Sequence, residues 1–171
     1  MRRERRDSQL EAFLAERGNA LMRTAYLLTS DRPAAEDLFQ EALERLLRNW
    51  HRVEGDPEAY LRRTLYNLAV DGWRRKQRRP EVLGLPEVAA PTDHMARVDL
   101  RLALVSALGQ LPPRQRAALV ARYWEGLSEL ETAELLGCSL SAVKSATSRA
   151  LKRLRDAITP EPVGTSCPGE G

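Results

Sequence analysis

The sequence predicts an all-α fold: two small helical domains joined by a flexible linker, the C-terminal one containing a helix-turn-helix. Its 171 residues are 43% hydrophobic and 30% charged but only 5% aromatic, a balance that suits one or two compact helical units. Leu, Ala, Arg and Glu dominate, and no alternating apolar pattern persists long enough to make a strand. A stretch carrying Pro80, Gly84, Pro86 and Pro91 interrupts the helical periodicity between Arg79 and Asp99, which makes it the best domain boundary. The expected division is a domain over 8–79, a linker over 80–98, a second domain over 99–158 and a disordered Pro- and Gly-bearing tail over 159–171.

In the N-terminal half, Leu10, Phe13, Leu14, Leu21, Ala25 and Leu28 mark the apolar face of a first helix. A second starts near Asp31 with Pro33 in its first turn, and its apolar face is Leu38, Ala42, Leu43, Leu46, Leu47 and Trp50. A third begins at Asp56-Pro57, where Asp can cap and Pro suits the first helical position. Its apolar stripe runs Tyr60, Leu61, Thr64, Leu65, Leu68, Ala69, Trp73. The opposite face carries Arg63, Asn67, Arg74 and Arg78, with Asp71 and Arg75 alongside.

In the C-terminal half, Ser128 and Glu131 form the signature of a capping box. Gly137 then stops that helix at a position that favours a left-handed backbone. Ser139 can cap the next helix, with Cys138 and Val143 flanking the cap as a small staple. Along this last helix Val143, Ala146, Ala150, Leu151 and Leu154 point inward, which leaves Ser141, Lys144, Ser145, Ser148 and Lys152 outside. Short hydroxyls beside cations suit a DNA major groove, and Lys144, Arg149, Lys152, Arg153 and Arg155 can hold phosphates or reach guanine edges.

The net charge of +3 conceals strong segregation. Residues 60–79 carry +6 and residues 139–155 carry +5, so the rest of the chain carries −8. Two basic helices in an otherwise acidic protein suggest two separate contacts with a polyanion, and acidic surfaces that can meet a basic protein partner. On the first basic helix, Asn67 offers a donor and an acceptor to a base edge while its arginine neighbours grip phosphates.

Other classes of chemistry have little support. Cys138 and Cys167 stand far apart, with no His or Cys at metal-ligand spacing, so no disulfide, zinc site, other metal or cofactor is expected. Cys138 reads as a small buried hydrophobe, and His51 and His94 as residues without a special role. No apolar run approaches a membrane span, and the charged start MRRERRDSQL lacks the apolar core of a signal peptide. The expected location is the cytoplasm, without membrane insertion.

Three motifs in order, RTAYLLTSDRPAAEDLFQEALERL, DPEAYLRRTLYNLAVDGWRRK and LPPRQRAALVARYWEGLSELETAELLGCSLSAVKSATSRALKRLR, closely resemble the extracytoplasmic-function (ECF) sigma factors of the sigma-70 family. The resemblance spans roughly residues 9 to 157, and its phrasing is similar to an actinobacterial subgroup. It implies a dissociable specificity subunit that directs core RNA polymerase to promoters, without a catalytic residue of its own. By that resemblance Asp37, Gln40 and Glu41 face the beta-prime clamp of the polymerase, and the beta flap is a further contact. Arg62, Arg63, Asn67, Arg74 and Arg75 meet the minus-ten element of promoter DNA. Asn67 captures a flipped base there, so melting comes from stabilising unstacked bases. Ser139, Ser141, Lys144, Ser145, Ser148, Arg149 and Lys152 read the minus-thirty-five element as duplex. An anti-sigma factor is the implied protein inhibitor. Ala146 stands where many relatives carry Arg, so base preference does not transfer.

The resemblance also sets a distance. Elements about 17 base pairs apart lie near 60 Å at about 3.4 Å per pair. A linker of about 19 residues reaches that only when extended at about 3.3 Å each, since a relaxed coil spans about 25 Å. Without DNA the two domains are expected to sit closer together.

Two alternatives bring different chemistry. A helix-turn-helix regulator that binds duplex operators explains the C-terminal half but not the basic Asn67 helix or the acidic helix before it. A metal-dependent nuclease using Glu36, Asp37 and Glu41 is disfavoured, because the adjacent Glu36 and Asp37 point in different directions and no basic or His partner stands in that motif.

Overall fold

A computed structural model describes residues 2–50, 52–53, 55–77 and 96–158, with side chains over 7–50, 52–53, 55–72 and 100–158. The helices are α1 (Arg2–Thr29), α2 (Arg32–Asn49), α3 (Pro57–Gln77), α4 (Ala96–Gln110), α5 (Pro113–Leu119), α6 (Glu129–Leu136) and α7 (Leu140–Ile158). A π-helical turn, Val120–Trp124, extends α5. There is no strand among the described residues. The predicted linker and tail, together with His51, His94 and Cys167, lie outside the described residues except that α4 begins at Ala96, inside the expected linker.

The helix starts follow from their caps. Asp31 Oδ2 accepts from the Ala34 N–H at 2.9 Å from an extended residue, and Pro33 in the first turn needs no partner for its nitrogen. Asp56 Oδ1 accepts from the Glu58 N–H at 2.9 Å, one residue before Pro57 opens α3. Leu21, Ala25, Leu28, Ala35, Leu38, Ala42, Leu46, Leu61, Leu65 and Leu68 then form one core between α1, α2 and α3. Each fully buried Leu contributes about 1.5–3 kcal/mol relative to exposure.

Two expectations for the N-terminal face need correction. Leu47, expected in the α2 stripe, is half exposed, because the buried row runs through Ala35, Leu38, Ala42 and Leu46 and turns Leu47 off its edge. Tyr66, outside the expected α3 stripe, is the largest fully buried side chain among the described residues. Its burial reflects a second layer of packing: Ala117, Val120 and Ala121 of the C-terminal half belong to the same core as α1–α3. A smaller cluster of Leu108, Leu111, Leu119 and Ala150 holds α4, α5 and α7 together, and Leu27 of α1 packs on it.

The two halves therefore sit directly against each other. Polar contacts cross the same boundary. The Arg116 guanidinium donates from Nη1 to the Leu28 carbonyl at 2.9 Å and from Nη2 to the Gly109 and Leu111 carbonyls at 3.1 and 3.0 Å. These carbonyls stand at or just past the C-terminal ends of α1 and α4, where backbone acceptors lack intrahelical donors and the helix dipole favours a cation. Burial pulls the Arg116 pKa down. Nearby, a Cβ on Gly109 would meet Ser30 Cβ at 3.3 Å, so α4 approaches the α1–α2 corner closely.

Candidate nucleic-acid and partner surfaces

The helix-turn-helix is built as its sequence predicts. Ser128 Oγ accepts from the Glu131 N–H at 3.1 Å, and the Glu131 carboxylate accepts from the Ser128 N–H at 2.7 Å. These bonds hold the Glu131 carboxyl below its ordinary pKa. Gly137 ends α6 at φ 60°, and the Cys138 N–H returns to the Ala133 carbonyl at 3.0 Å. Ser139 Oγ accepts from the Ala142 N–H at 3.2 Å and lies 3.2 Å from Ser141 Oγ. Cys138 is half-buried rather than buried, while Val143, its partner across the cap, is fully buried.

On α7, Ser141, Lys144, Ser145, Ser148, Arg149 and Lys152 are exposed, as is Ser139 at its start, while Val143 and Ala150 are buried. Lys144 Nζ lies 3.6 Å from Glu129 Oε2 of α6, both largely exposed. This weak pair leaves the ammonium free to exchange partners.

On α2, Asp37, Gln40 and Glu41 are exposed at spacings of three and four residues, so they share one face. Glu41 Oε1 accepts from Arg45 at 2.7 Å, and the next turn repeats the pattern with Arg48 and Glu44 at 3.2 Å. Among the described residues, no group of three or more His, Cys, Asp or Glu side chains gathers as a metal site.

On α3, Arg63 and Asn67 are exposed one turn apart. Arg74 and Arg75 continue the helix, with side chains outside the described residues. Arg62 is placed differently. Its Nη2 donates to Glu58 Oε1 at 2.6 Å, and its Nε lies 3.3 Å from Glu125 Oε2, close enough for an ion pair but not aligned as a hydrogen bond. Glu58 is also gripped by Arg17 of α1, through Nε at 2.6 Å and Nη2 at 2.8 Å. Glu125 in turn accepts from Thr24 Oγ1 at 2.8 Å. Sequence reasoning missed this network because Glu125 stands between a helix end and Gly126, outside any motif read for charge. The signal available was the neighbouring Arg62-to-Glu58 spacing of one helical turn.

Residues 13–79 match the family model described as Sigma-70 region 2, and residues 101–154 match Sigma-70, region 4. Over 88% of this chain and 86% of its relative, the sequence is 38% identical to the RNA polymerase sigma-E factor of Streptomyces coelicolor. The chain belongs to the extracytoplasmic-function sigma factors of the sigma-70 family. Another ECF member, SigL of Mycobacterium tuberculosis, is 34% identical over 85% of this chain and 86% of its own. Two solved structures share the fold. The sigma factor RpoE, solved in complex with the anti-sigma factor NepR from Bartonella quintana, covers 90% of this chain and 99% of its own at 26% identity and a TM-score of 0.70. The ECF sigma factor SigJ of Mycobacterium tuberculosis is 35% identical with a TM-score of 0.61, covering 86% of this chain and 53% of its own. As a sigma factor the chain acts in transcription initiation at promoters; an operator-binding regulator would leave the region 2 match over 13–79 unexplained.

Proposed function

We propose that this sigma factor divides its work among three surfaces. Asp37, Gln40 and Glu41 on α2 bind the basic beta-prime clamp of core polymerase, and the C-terminal half meets the beta flap. The exposed Arg63–Asn67 face of α3, with Arg62, Arg74 and Arg75, holds the minus-ten element, where Asn67 takes a flipped base. The outer face of α7, from Ser139 to Lys152, reads the minus-thirty-five duplex. The observation that carries this reading is the pairing of a capped helix-turn-helix with a second basic helix that exposes Asn67.

The protein needs no catalytic residue of its own for this role, since bond formation belongs to the polymerase. It works in the cytoplasm; among the described residues no helix is long and apolar enough to cross a membrane. An anti-sigma factor is its proposed inhibitor, supported by the RpoE relative solved with one.

The test is transcription from a genomic promoter library by sigma-free core polymerase, with and without the protein, followed by sequencing of transcript starts. Starts that depend on the protein and share two spaced upstream motifs are expected. Retention of specific duplexes without new starts would favour the operator-binding regulator.

A further inference from the structure

Glu125 is a largely enclosed carboxylate at the boundary between the two halves, with a side chain only 12% exposed. It caps the C-terminal end of the π-helical turn, and both its partners come from the N-terminal half: Thr24 on α1 and Arg62 on α3. The wide turn itself aims it there. Glu125 N–H reaches back five residues to the Val120 carbonyl at 3.1 Å, and the Leu127 N–H reaches Ala121 at 3.0 Å, a geometry that recurs at functional positions.

One guanidinium edge cannot hold both a carboxylate and a phosphate. While Glu125 occupies Arg62, it also places a negative charge beside the basic row of α3 and opposes a polyanion there. The contact further requires the two halves to touch, whereas binding both promoter elements holds them near 60 Å apart by the estimate of about 3.4 Å per base pair.

We propose that Glu125 is an interdomain latch: by engaging Arg62 and Thr24 it holds the free protein closed and keeps the Arg62 guanidinium from DNA until the halves separate. The DNA part of this inference rests on the sigma-factor reading above; the closed state does not. A ligand that requires the open form binds more weakly by the fraction of molecules that are open, so the latch acts as a threshold on promoter engagement.

The experiment uses the full chain with Cys138→Ser and Cys167→Ser, spin-labelled at Asn19→Cys on α1 and Asp156→Cys on α7, both exposed. Pulsed electron resonance is expected to give a narrow interdomain distance in this background. Glu125→Ala and, separately, Thr24→Val are expected to add a longer, broad component while circular dichroism shows unchanged helix content. A distribution that stays narrow and unshifted in both variants overturns the latch, as does a broad distribution in the parent. In the transcription assay, Glu125→Ala is expected to lower the protein concentration for half-maximal output about five-fold. An unchanged concentration overturns control of promoter engagement. If no variant supports transcription while the distances shift as expected, the sigma-factor reading fails and the latch stands.

Discussion

Arg17 and Glu58 tie α1 to α3 through two parallel bonds, Nε to Oε2 at 2.6 Å and Nη2 to Oε1 at 2.8 Å. The fork-to-fork geometry fixes the rotation of α3 about its axis, and with it the direction in which Arg62, one turn further along, presents its guanidinium. The Arg17 bonds hold the Glu58 carboxyl below its ordinary range, with Arg62 adding to the effect.

A carboxyl with a depressed folded pKa stabilises the fold fully above its unfolded value and loses that contribution as pH falls through the folded value. Glu58→Gln is therefore expected to lower the melting temperature most near pH 7. The gap to the parent should close as the pH drops below about 4, the unfolded range of a glutamate. Because Arg17 is half exposed, added salt should narrow the gap as well. Melts across pH 3–7 check this, and a gap that stays constant to pH 3 would remove the ionic part of the pair.

Tyr66 separates shape from polarity. The ring fills the centre of the core while its hydroxyl lacks a partner, and burial raises the pKa of that hydroxyl far above its usual value. An orphaned buried hydroxyl costs about 1–3 kcal/mol. Tyr66→Phe is therefore expected to leave stability unchanged or raise it by about 1 kcal/mol, whereas Tyr66→Ala should cost about 3–5 kcal/mol through the cavity. Denaturant midpoints of the two variants decide this; a large loss for Tyr66→Phe would mean the hydroxyl is bonded in solution.

Arg116 joins the two halves by a different chemistry, supplying donors to carbonyls beyond the reach of their own helices. Arg116→Met keeps much of the side-chain volume but removes every donor, and is expected to cost about 1.5–3 kcal/mol, the range for hydrogen bonds from a charged group. Arg116→Lys should recover only part, since an ammonium cannot span both helix ends with the geometry of a fork. Equal stability of the Met and Lys variants would show that packing alone matters there.

Local chemistry was legible wherever a cap or a turn dictated it. Asp31, Asp56, the Ser128–Glu131 box, Gly137 and Ser139 each mark a boundary through a bond between a side chain and a nearby backbone group, and such bonds depend on spacing alone. The exposed faces of α2, α3 and α7 were legible for the same reason, because periodicity sorts inside from outside. Tyr66, Arg116 and Glu125 were not. Each owes its environment to residues far along the chain, Glu125 to Thr24 across 101 positions and Arg116 to Leu28 across 88, and no local pattern encodes such a contact. Arg62 shows the consequence: its sequence neighbours place it in a basic row, while its partners in space are two carboxylates.

The division of labour proposed for α2 and α3 makes a prediction about separable steps. Charge reversal at Asp37 and Glu41 should weaken association with core polymerase first, since both carboxylates are exposed on one face and the clamp surface proposed to meet them is basic. Asn67→Ala should leave that association nearly intact and lower promoter opening, because it removes a hydrogen-bonded base contact worth about 0.5–1.5 kcal/mol at the melted strand. Core binding by fluorescence anisotropy and opening by permanganate footprinting read the two steps independently. Equal losses in both assays for either variant would undercut the assignment.

For α7 the discriminating variable is salt. A cation that neutralises a phosphate releases condensed counterions, so its removal changes the slope of affinity against salt concentration, not only the affinity. Lys144→Ala and Arg149→Ala should each weaken binding to a minus-thirty-five duplex and flatten that slope by about 1. Lys144 has the smaller expected loss of affinity, because its ammonium must first leave Glu129. Ser145→Ala, which removes a short hydroxyl without a charge, should change discrimination between duplex sequences and leave the slope alone. Titrations at several salt concentrations with matched and altered duplexes distinguish these behaviours. Unchanged slopes for both cationic variants would place the phosphate contacts on another surface of the C-terminal half.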